Sequence, residues 1–432
     1  MRDRKLMAAG AAALTLALGV AACGSSDKSS GDTSATASAA AGTSSQAAVN
    51  APPGKPIVIG SIGSFTGPQA ASLGAADETM KAWEAYTNAN GGINGHPVKV
   101  IIKDDAGNPT KAAQLVKGLV EQDKVQAIVG STSTVTEAFQ KYITAKQVPY
   151  IGSAEFQQDY TTNPLFFPTG TQAVMFDYGL LVEAKKAGVT KIGVLPCAEV
   201  AACSLGGKLI QGLGQIVGVQ VPYVQKITAT QPTYTSVCLA AKAKGVNGLA
   251  IVENSATVLR AANQCAQQGY KPRQLNVSAT TGLAWQNQAS MEGAITTQSN
   301  PVLADESIPA LTAFHTALDK YQPGVAKGEQ YNEIDSSVWA GGQTFKLAAE
   351  RAKLTPSSTP ADVLKGLYTF KNETVGGLAP PLNYVKGKPT FVTCWFPQQI
   401  KSGKFTSLTQ GAKPNCISKT DLPKLQQLLA AL

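Results

Sequence analysis

Residues 88–120 read NANGGINGHPVKVIIKDDAGNPTKAAQLVKGLV, and this stretch contains the signals of a strand that leads directly into a helix. Gly91 and Gly92 end the helix that the apolar spacing of residues 74–90 predicts. The run VKVIIKD (98–104) then indicates a buried parallel strand. Asn108 and Pro109 have the residue types that cap and open a helix. A strand followed by a helix is the repeating unit of α/β folds.

The same alternation recurs along the chain and predicts its fold class. Apolar runs bounded by turn residues predict strands at 56–62, 98–104, 125–131 and 148–153, and again at 191–196, 219–227, 248–254 and 274–279. In the second group, helices are predicted at about 174–188, 204–216, 233–244 and 256–268. Two such groups predict an α/β fold of two open lobes with parallel sheets.

The predicted strands end in short polar segments. These segments are GSIGSFTGP, GSTST, GSAEF, VENSA and SATTG, and they are rich in glycine and hydroxyl side chains. In open α/β sheets, ligands bind beyond the carboxyl ends of the strands. We therefore expect a pocket lined by backbone groups and hydroxyls.

Motifs of the common enzyme classes are missing from the sequence. It has no phosphate-binding loop, no G-x-S-x-G, no H-E-x-x-H and only two histidines, and GSIGSF does not fit the dinucleotide fingerprint. Asp104 and Asp105 could act as paired carboxylates, but such a pair at a strand end more often caps the following turn. We expect no enzymatic activity and no cofactor or metal, with a carboxylate enzyme as the alternative left open.

The N-terminus has the pattern of an export signal. Residues 1–22 begin with basic residues and continue with a short apolar run, which favours a signal peptide over a membrane-spanning helix. The segment VAAC resembles the lipobox of bacterial lipoproteins, and this resemblance implies lipidation of Cys23. Residues 23–54 are mostly Ser, Ala, Gly and Thr and predict a disordered tether. We expect an exported protein that is lipid-anchored on the outer face of the cytoplasmic membrane.

Charge and cysteine content restrict the partners further. The formal net charge is +9, but the basic residues are scattered, so no nucleic-acid partner is expected. An even number of further cysteines in an exported chain suggests disulfides, and several pairings are open. Among these pairings, closeness in sequence favours Cys197–Cys203, Cys238–Cys265 and Cys394–Cys416. A zinc site is the less favoured alternative, because the sequence has no C-x-x-C and only two histidines.

The segments IVIGSIGSFTGP (57–68), residues 88–120, QAIVGSTSTVTEA (126–138) and VPYIGSA (148–154) resemble the branched-chain amino-acid-binding (leucine/isoleucine/valine-binding) family. These proteins are substrate-binding lipoproteins of ABC transporters with the type I periplasmic binding protein fold. The resemblance is close over 55–167 and looser to about 407. It implies two doubly wound parallel-sheet lobes that are joined by a three-stranded hinge and close around a ligand.

The resemblance also implies domain boundaries. We expect the signal peptide at 1–22 and the tether at 23–54. Lobe 1 is expected at 55–172 and 300–378, and lobe 2 at 173–299 and 379–432, where it includes the tail.

In the first lobe the resemblance assigns ligand contacts to the strand ends. Ser133 and Thr134 match the loop that grips a ligand carboxylate, although Thr134 with Glu137 also fits a helix capping box. Ser153 and Ala154 match the next contacts. Phe156 stands where the family has a hydroxyl, and Leu73 where it often has an aromatic residue.

In the second lobe the matching residues depart from the family. The stretch that contains Ser278 lacks the acid that receives the ammonium of an amino-acid ligand. Glu253 is the nearest candidate for that role and lies beside Asn254, which matches a contact position. Glu253 could instead cap the following helix, and the sequence leaves both interpretations open.

These observations predict an extracytoplasmic, lipid-anchored solute-binding receptor of an ABC importer. Its partners would be a small polar solute (an amino acid or a related compound), the transporter permease, and the membrane through Cys23. We expect a monomer. The alternatives are a ligand sensor of the same fold that signals to a membrane partner, and an extracytoplasmic enzyme.

Overall fold

A computed structural model describes residues 50–431, except positions 68, 69, 71, 72, 154, 200, 306 and 329. The side chains of residues 201–206, 208 and 279 are likewise not described. The predicted signal peptide, the lipidation site Cys23, nearly all of the tether and the candidate contact Ala154 therefore lie outside the described residues. Within the described part of the chain, no helix has the length and apolar character to cross a bilayer.

The first sheet consists of five parallel strands in the order β2-β1-β3-β4-β5. Its two longest strands pair over their whole length, from Ile57 opposite Val98 to Gly63 opposite Asp104. The strands predicted at 56–62, 98–104, 125–131 and 148–153 are all present, and two of them begin two or three residues later than predicted. The strands are β1 (Ile57–Gly63), β2 (Val98–Asp104), β3 (Ile128–Ser131), β4 (Tyr150–Ser153) and β5 (Phe166–Phe167).

Local signals correctly predict the start of the second helix and the end of the first. The Asn108 side chain caps the second helix by accepting a hydrogen bond from the Lys111 N–H at 3.0 Å. Gly91 and Gly92, with φ of 91° and 66°, follow the end of the first helix. The helices of this part are α1 (Ala76–Ala89), α2 (Pro109–Glu121), α3 (Gln140–Ala145) and α4 (Asp159–Thr162).

The second sheet begins with parallel strands and is completed by antiparallel ones. Its main order is β7-β6-β8-β9-β10-β13-β14, and β15 also pairs with β13. Strands β6 to β9 pair in parallel as predicted, and β10, which was not predicted, adds a further parallel strand beside β9. Strand β13 is antiparallel to β10, so the sheet is mixed rather than wholly parallel. The parallel strands are β6 (Lys191–Pro196), β7 (Gln220–Val224), β8 (Gly248–Val252), β9 (Arg273–Val277) and β10 (Ile295–Gln298).

The remaining elements complete both lobes. Four helices accompany the parallel strands of the second sheet: α5 (Ala173–Lys186), α6 (Ala201–Val217), α7 (Thr235–Ala243) and α8 (Ser255–Gln267). The chain continues with α9 (Pro309–Tyr321), α10 (Glu333–Arg351), α11 (Pro360–Leu367), β11 (Lys371–Glu373) and β12 (Leu382–Asn383). It ends with β13 (Cys394–Lys401), β14 (Lys404–Ser407), β15 (Asn415–Cys416) and α12 (Leu422–Ala430).

Apolar cores cover both faces of each sheet. On the first sheet, one core contains Trp83 of α1 and Trp339 of α10, and the other contains Val116 of α2 and Tyr150 of β4. On the second sheet, α7 and α8 pack on one face, and α5, α6 and α12 pack on the other. Helices on both faces of each sheet are the arrangement of a doubly wound fold, which agrees with the predicted class.

Three passes of the chain lie side by side between the sheets. The Thr171 hydroxyl is 3.2 Å from the carbonyl oxygen of Gln298 and 2.9 Å from that of Cys394. These contacts join the segment before α5, the end of β10 and the start of β13. The lobe boundaries stay a prediction. Tyr384 and Val392 pack in the core of the first sheet, although they lie within the segment 379–432 that is predicted for lobe 2.

Two of the predicted disulfides are present. Cys238–Cys265 joins α7 to α8, and Cys394–Cys416 joins β13 to β15. Cys197 is also in a disulfide. Because the side chain of Cys203 is not among those described, its pairing with Cys197 remains a prediction.

Candidate functional site

The loops that follow β1, β2 and β3 are joined through Ser64. Its hydroxyl donates to Asp105 Oδ1 at 2.7 Å and accepts from the Thr134 N–H at 3.2 Å. The Thr134 hydroxyl lies 3.0 Å from the Ser64 hydroxyl. This network holds the three loops together at the carboxyl edge of the first sheet. The Thr134 hydroxyl already has a hydrogen-bond partner within the protein.

The paired aspartates after β2 cap the following turn. Asp104 Oδ1 accepts from the Ala106 N–H at 2.9 Å, and Asp105 Oδ1 accepts from the Gly107 N–H at 2.8 Å. Burial acts to raise the pKa of Asp104, but hydrogen bonds from Thr66 and Ala106 lower it below its ordinary value. The interpretation as turn caps is confirmed.

The predicted capping box of Thr134 and Glu137 is wrong. A short 3-10 helix at Thr136–Ala138 follows Val135 and has no side-chain cap, and α3 begins only at Gln140. The reason is tertiary, because Ser64, distant in sequence, takes the Thr134 hydroxyl. The neighbouring Ser133 hydroxyl accepts one long hydrogen bond, from the Val135 N–H at 3.4 Å. Ser133 is fully buried, and within the described residues its proton has no acceptor.

The residues at and after the end of β4 form hydrogen bonds with β3 and with the segment before α5. Ser153 is buried, and its hydroxyl lies 3.5 Å from the Ser131 carbonyl oxygen. Two residues later, Glu155 Oε1 accepts from the N–H and the hydroxyl of Thr169, both at 3.0 Å. Burial raises the pKa of Glu155 to about 7, although these hydrogen bonds act to lower it. Phe156, the other candidate here, is half-buried.

The segment around Leu73 is held by an acid that the sequence analysis missed. Leu73 is buried just before α1, and Ala75, the N-cap residue of that helix, provides no side-chain cap. Asp335 of α10 supplies the missing acceptors, for the Ala75 N–H and for the Thr79 hydroxyl at 3.2 Å. Local signals could not reveal this contact, because it joins residues far apart in the chain.

At the second sheet, Asn254 and not Glu253 is the cap of α8. Asn254 Oδ1 accepts from the Thr257 N–H at 3.0 Å. Glu253 Oε2 accepts from the N–H and the side-chain amide of Asn254, at 3.0 and 3.1 Å. Glu253 is nine-tenths buried at the end of β8.

A second glutamate, Glu199, lies beside Glu253. Its two oxygens accept from the Ala229 N–H at 2.7 Å and the Ala198 N–H at 3.0 Å. Burial, and then the charge of Glu199, raise the pKa of Glu253. Cys197 Sγ lies within 4.8 Å of both carboxylates, but its disulfide removes the thiolate that a metal would need. Glu199 was not predicted, and its only signal was the unusual loop PCAEVAACS.

Ser278 lies where the second sheet meets the first lobe. It begins a short 3-10 helix, Ser278–Thr280, directly after β9, and its carbonyl oxygen accepts from the Thr281 hydroxyl at 2.8 Å. This turn contacts α10. The candidates thus fall into two groups, at the carboxyl edge of the first sheet (Leu73, Ser133, Thr134, Ser153, Phe156) and at that of the second sheet (Glu253, Asn254, Ser278).

A separate cavity of about 560 Å³ opens in the second lobe. Its walls include Tyr178 and Lys185 of α5, Trp395 of β13 and Asp421 before α12. None of the candidate residues that the structure describes lines it. It is therefore a different place from the two strand edges described above.

Comparison with known families gives one match over most of the chain. The family described as "Periplasmic binding protein" matches residues 56–404. A curated relative from Pseudomonas aeruginosa, "Amino acid binding protein", is 41% identical over 83 residues. That alignment covers 18% of this chain and spans only 22% of the relative.

Solved structures share the fold at low sequence identity. A branched chain amino acid ABC transporter from Thermus thermophilus with bound valine has a TM-score of 0.73 and 16% identity, over 87% of this chain and 98% of that chain. A solute binding protein of an ABC transporter from R. palustris, in complex with benzoate, has a TM-score of 0.66 and 15% identity, over 84% and 98%. At such identities the likeness concerns the fold.

Proposed function

This chain belongs to the periplasmic binding protein family, and from that premise we propose that it is the lipid-anchored solute-binding receptor of an ABC importer. It binds a small polar solute, an amino acid or a related compound, between the carboxyl edges of its two sheets. The observation that carries the proposal is the contact of the Ser278 turn with α10, which brings the polar end of the second sheet to the first lobe. The lobes close around the solute, and the permease receives it from the closed form.

A carboxylate on the solute is the chemical feature that the first lobe suits. The Ser133 hydroxyl can donate to it, since within the described residues that proton has no other acceptor. Thr134 and Ser153 lie beside this donor in the proposed site, and Ala154 is kept as a proposed ligand contact from the resemblance alone. Valine and benzoate, the ligands of the two structural relatives, both carry a carboxylate, which supports the proposal.

The predicted lipid anchor would attach the receptor to the membrane. A lipid on Cys23 and the flexible tether would hold the folded body close to the membrane and to the permease. Mass spectrometry of the mature N-terminus tests this part: we expect an acylated Cys23, and release of Cys23→Ser protein from the membrane fraction. An unmodified Cys23 on membrane-bound protein would contradict the anchor but not solute binding.

The solute itself is identified from the purified protein. We expect that denaturing freshly purified protein releases a small carboxylate-bearing molecule in near-equal molar amount, detected by mass spectrometry. Calorimetry with L-valine and with benzoate on the emptied protein then measures affinity. Protein that releases nothing and binds no amino acid or organic acid would contradict the proposed function.

A further inference from the structure

The amino edge of the second sheet, opposite its carboxyl edge, collects basic side chains. Because parallel strands all begin at the same edge, the segments that lead into β6, β8, β9 and β10 lie together. The turn between β13 and β14 lies there too, since the Gly293 N–H, just before β10, donates to the Ile400 carbonyl oxygen at 2.8 Å. These segments carry the residues that we call the basic edge: Lys185, Lys186, Lys191, Lys242, Lys244, Lys271, Arg273, Lys401 and Lys404.

Contacts between neighbouring segments make the basic edge one continuous surface. Lys242, before β8, donates to the Gln268 carbonyl oxygen, before β9, at 3.2 Å. Arg273, at the start of β9, donates to the Gly293 carbonyl oxygen, before β10, at 2.7 Å. The fold thus brings together cations that are scattered along the sequence.

The positive charge of the basic edge is largely uncompensated. Among the ion pairs of the described part of the chain, only that of Lys186 with Glu183 includes one of its members. Glu183 itself is buried, and the other acid of these segments, Glu292, accepts from two N–H groups of the β13–β14 turn at 2.8 and 3.1 Å. Lys191 and Arg273 are half-buried, and the other members of the basic edge are exposed.

The first lobe has no such excess of positive charge. At the amino edge of the first sheet, Lys146 pairs with Glu121 at 3.7 Å, and Arg351 pairs with Glu373. The segments predicted for lobe 1 contain 16 basic and 19 acidic residues, whereas those predicted for lobe 2 contain 17 basic and 6 acidic residues. The net positive charge of the protein is therefore a property of the second lobe.

We infer that the basic edge docks the second lobe on an anionic phospholipid surface. Each lysine or arginine close to such a surface adds attraction, and a lipid anchor combined with a basic patch binds a membrane more stably than one signal alone. The predicted tether, with ends roughly 30 Å apart on average, lets the folded body reach the surface that holds Cys23. The inference goes beyond the proposed function and does not depend on it.

The composition of the basic edge favours lipid over a protein partner. Protein interfaces are depleted in lysine and depend on buried aromatic or aliphatic anchors. None of the exposed large apolar side chains found in the described residues lies in the segments of the basic edge. Docking through the amino edge also leaves the carboxyl edge, where the solute is proposed to bind, open to its ligand.

Co-sedimentation with vesicles tests the inference. The protein is the chain from residue 23 to 432 with Cys23→Ser, so that no acyl chain contributes to binding. The vesicles are pure phosphatidylcholine, or phosphatidylcholine with about one third phosphatidylglycerol, in about 0.05 M and 0.5 M salt. The test variant replaces four exposed lysines of the basic edge by glutamine: Lys244, Lys271, Lys401 and Lys404. The matched control replaces four exposed lysines of the first lobe: Lys99, Lys124, Lys141 and Lys371.

We expect the wild-type chain to bind the anionic vesicles at low salt, and to bind neither pure phosphatidylcholine nor either vesicle at high salt. The test variant should lower the partition coefficient by about tenfold or more. The control variant, which loses the same charge elsewhere, should lower it by less than about threefold. Both variants should keep the wild-type midpoint of thermal unfolding, because all the replaced side chains are exposed.

Three results would overturn the inference. Equal losses in the two variants would assign the binding to net charge rather than to the basic edge. Equal binding to both kinds of vesicle, or binding that resists salt, would assign it to apolar contacts. A wild-type chain that does not bind anionic vesicles would refute membrane docking, including the case in which the basic edge binds an acidic protein instead. The salt and lipid comparisons need no variant, and solute affinity measured by calorimetry is independent of them all.

Discussion

Replacing Asp335 by asparagine should flatten the dependence of stability on pH. Asp335 is fully buried, and its carboxylate accepts from the Asn332 N–H at 2.9 Å and the Thr79 hydroxyl at 3.2 Å. Burial raises the pKa of this group from 3.8 to about 7, although the hydrogen bonds act to lower it. The folded protein therefore holds this proton at a pH where the unfolded chain has released it.

The sign and size of the effect follow from that difference. Between the unfolded and the folded pKa, the unfolded state binds fewer protons, so the free energy of unfolding decreases as pH rises. Each pH unit within this window costs about 1.4 kcal/mol for one group. From pH 5 to pH 8, which contains about two such units, Asp335 should lower stability by about 3 kcal/mol. Glu155 and Asp177, with pKa values of about 7, and Glu333, with a pKa of about 8, act in the same direction.

Urea denaturation at pH 5 and pH 8 measures this slope. Wild-type protein should be less stable at pH 8, and Asp335→Asn should lose about 3 kcal/mol less between the two values. Asp362→Asn is the control, because Asp362 is only half-buried and its lowered pKa of about 2 lies outside the window. An unchanged slope in Asp335→Asn, or wild-type stability that increases from pH 5 to pH 8, would refute the reasoning.

Three further predictions concern single contacts. Ser133→Ala should lower the affinity for L-valine or benzoate, whichever binds, by about tenfold in calorimetry. Thr134→Val should lower that affinity less, because the Thr134 hydroxyl already contacts the Ser64 hydroxyl. A larger loss in Thr134→Val than in Ser133→Ala would contradict the assignment. Replacing both Cys394 and Cys416 by serine removes their disulfide and should lower the free energy of unfolding by about 3 kcal/mol. An unchanged denaturation midpoint would contradict a stabilising role of this disulfide. Gly366→Ala should lower the free energy of unfolding by about 1–3 kcal/mol, because the added methyl group would overlap the Ala348 carbonyl oxygen. Gly118→Ala, in a helix position with free space for a methyl group, should leave stability unchanged or increase it. Thermal denaturation measures both effects.

The elements that local chemistry defines could be predicted from the sequence. The strand at 98–104, the Asn108 cap and the glycine stop after α1 each depend on residues within a few positions of one another. The parallel strands β6 to β9 followed from their apolar runs in the same way, whereas the short strand β10 was missed. The antiparallel β13 could not be foreseen, because its place beside β10 is set by a return of the chain from the first lobe.

The site was harder to predict because tertiary contacts decide the use of each polar group. Thr134 fits a capping box by spacing, but Ser64 takes its hydroxyl. Asp335 supports α1 from a distant helix, and nothing in the local sequence of α1 indicates it.

A crystal structure of the protein with its released solute tests the central claim most directly. We predict density between the carboxyl edges of the two sheets, with a carboxylate at Ser133 and the rest of the molecule reaching the Ser278 turn. Density confined to the cavity lined by Tyr178 and Trp395, with the space between the strand edges empty, would contradict the account.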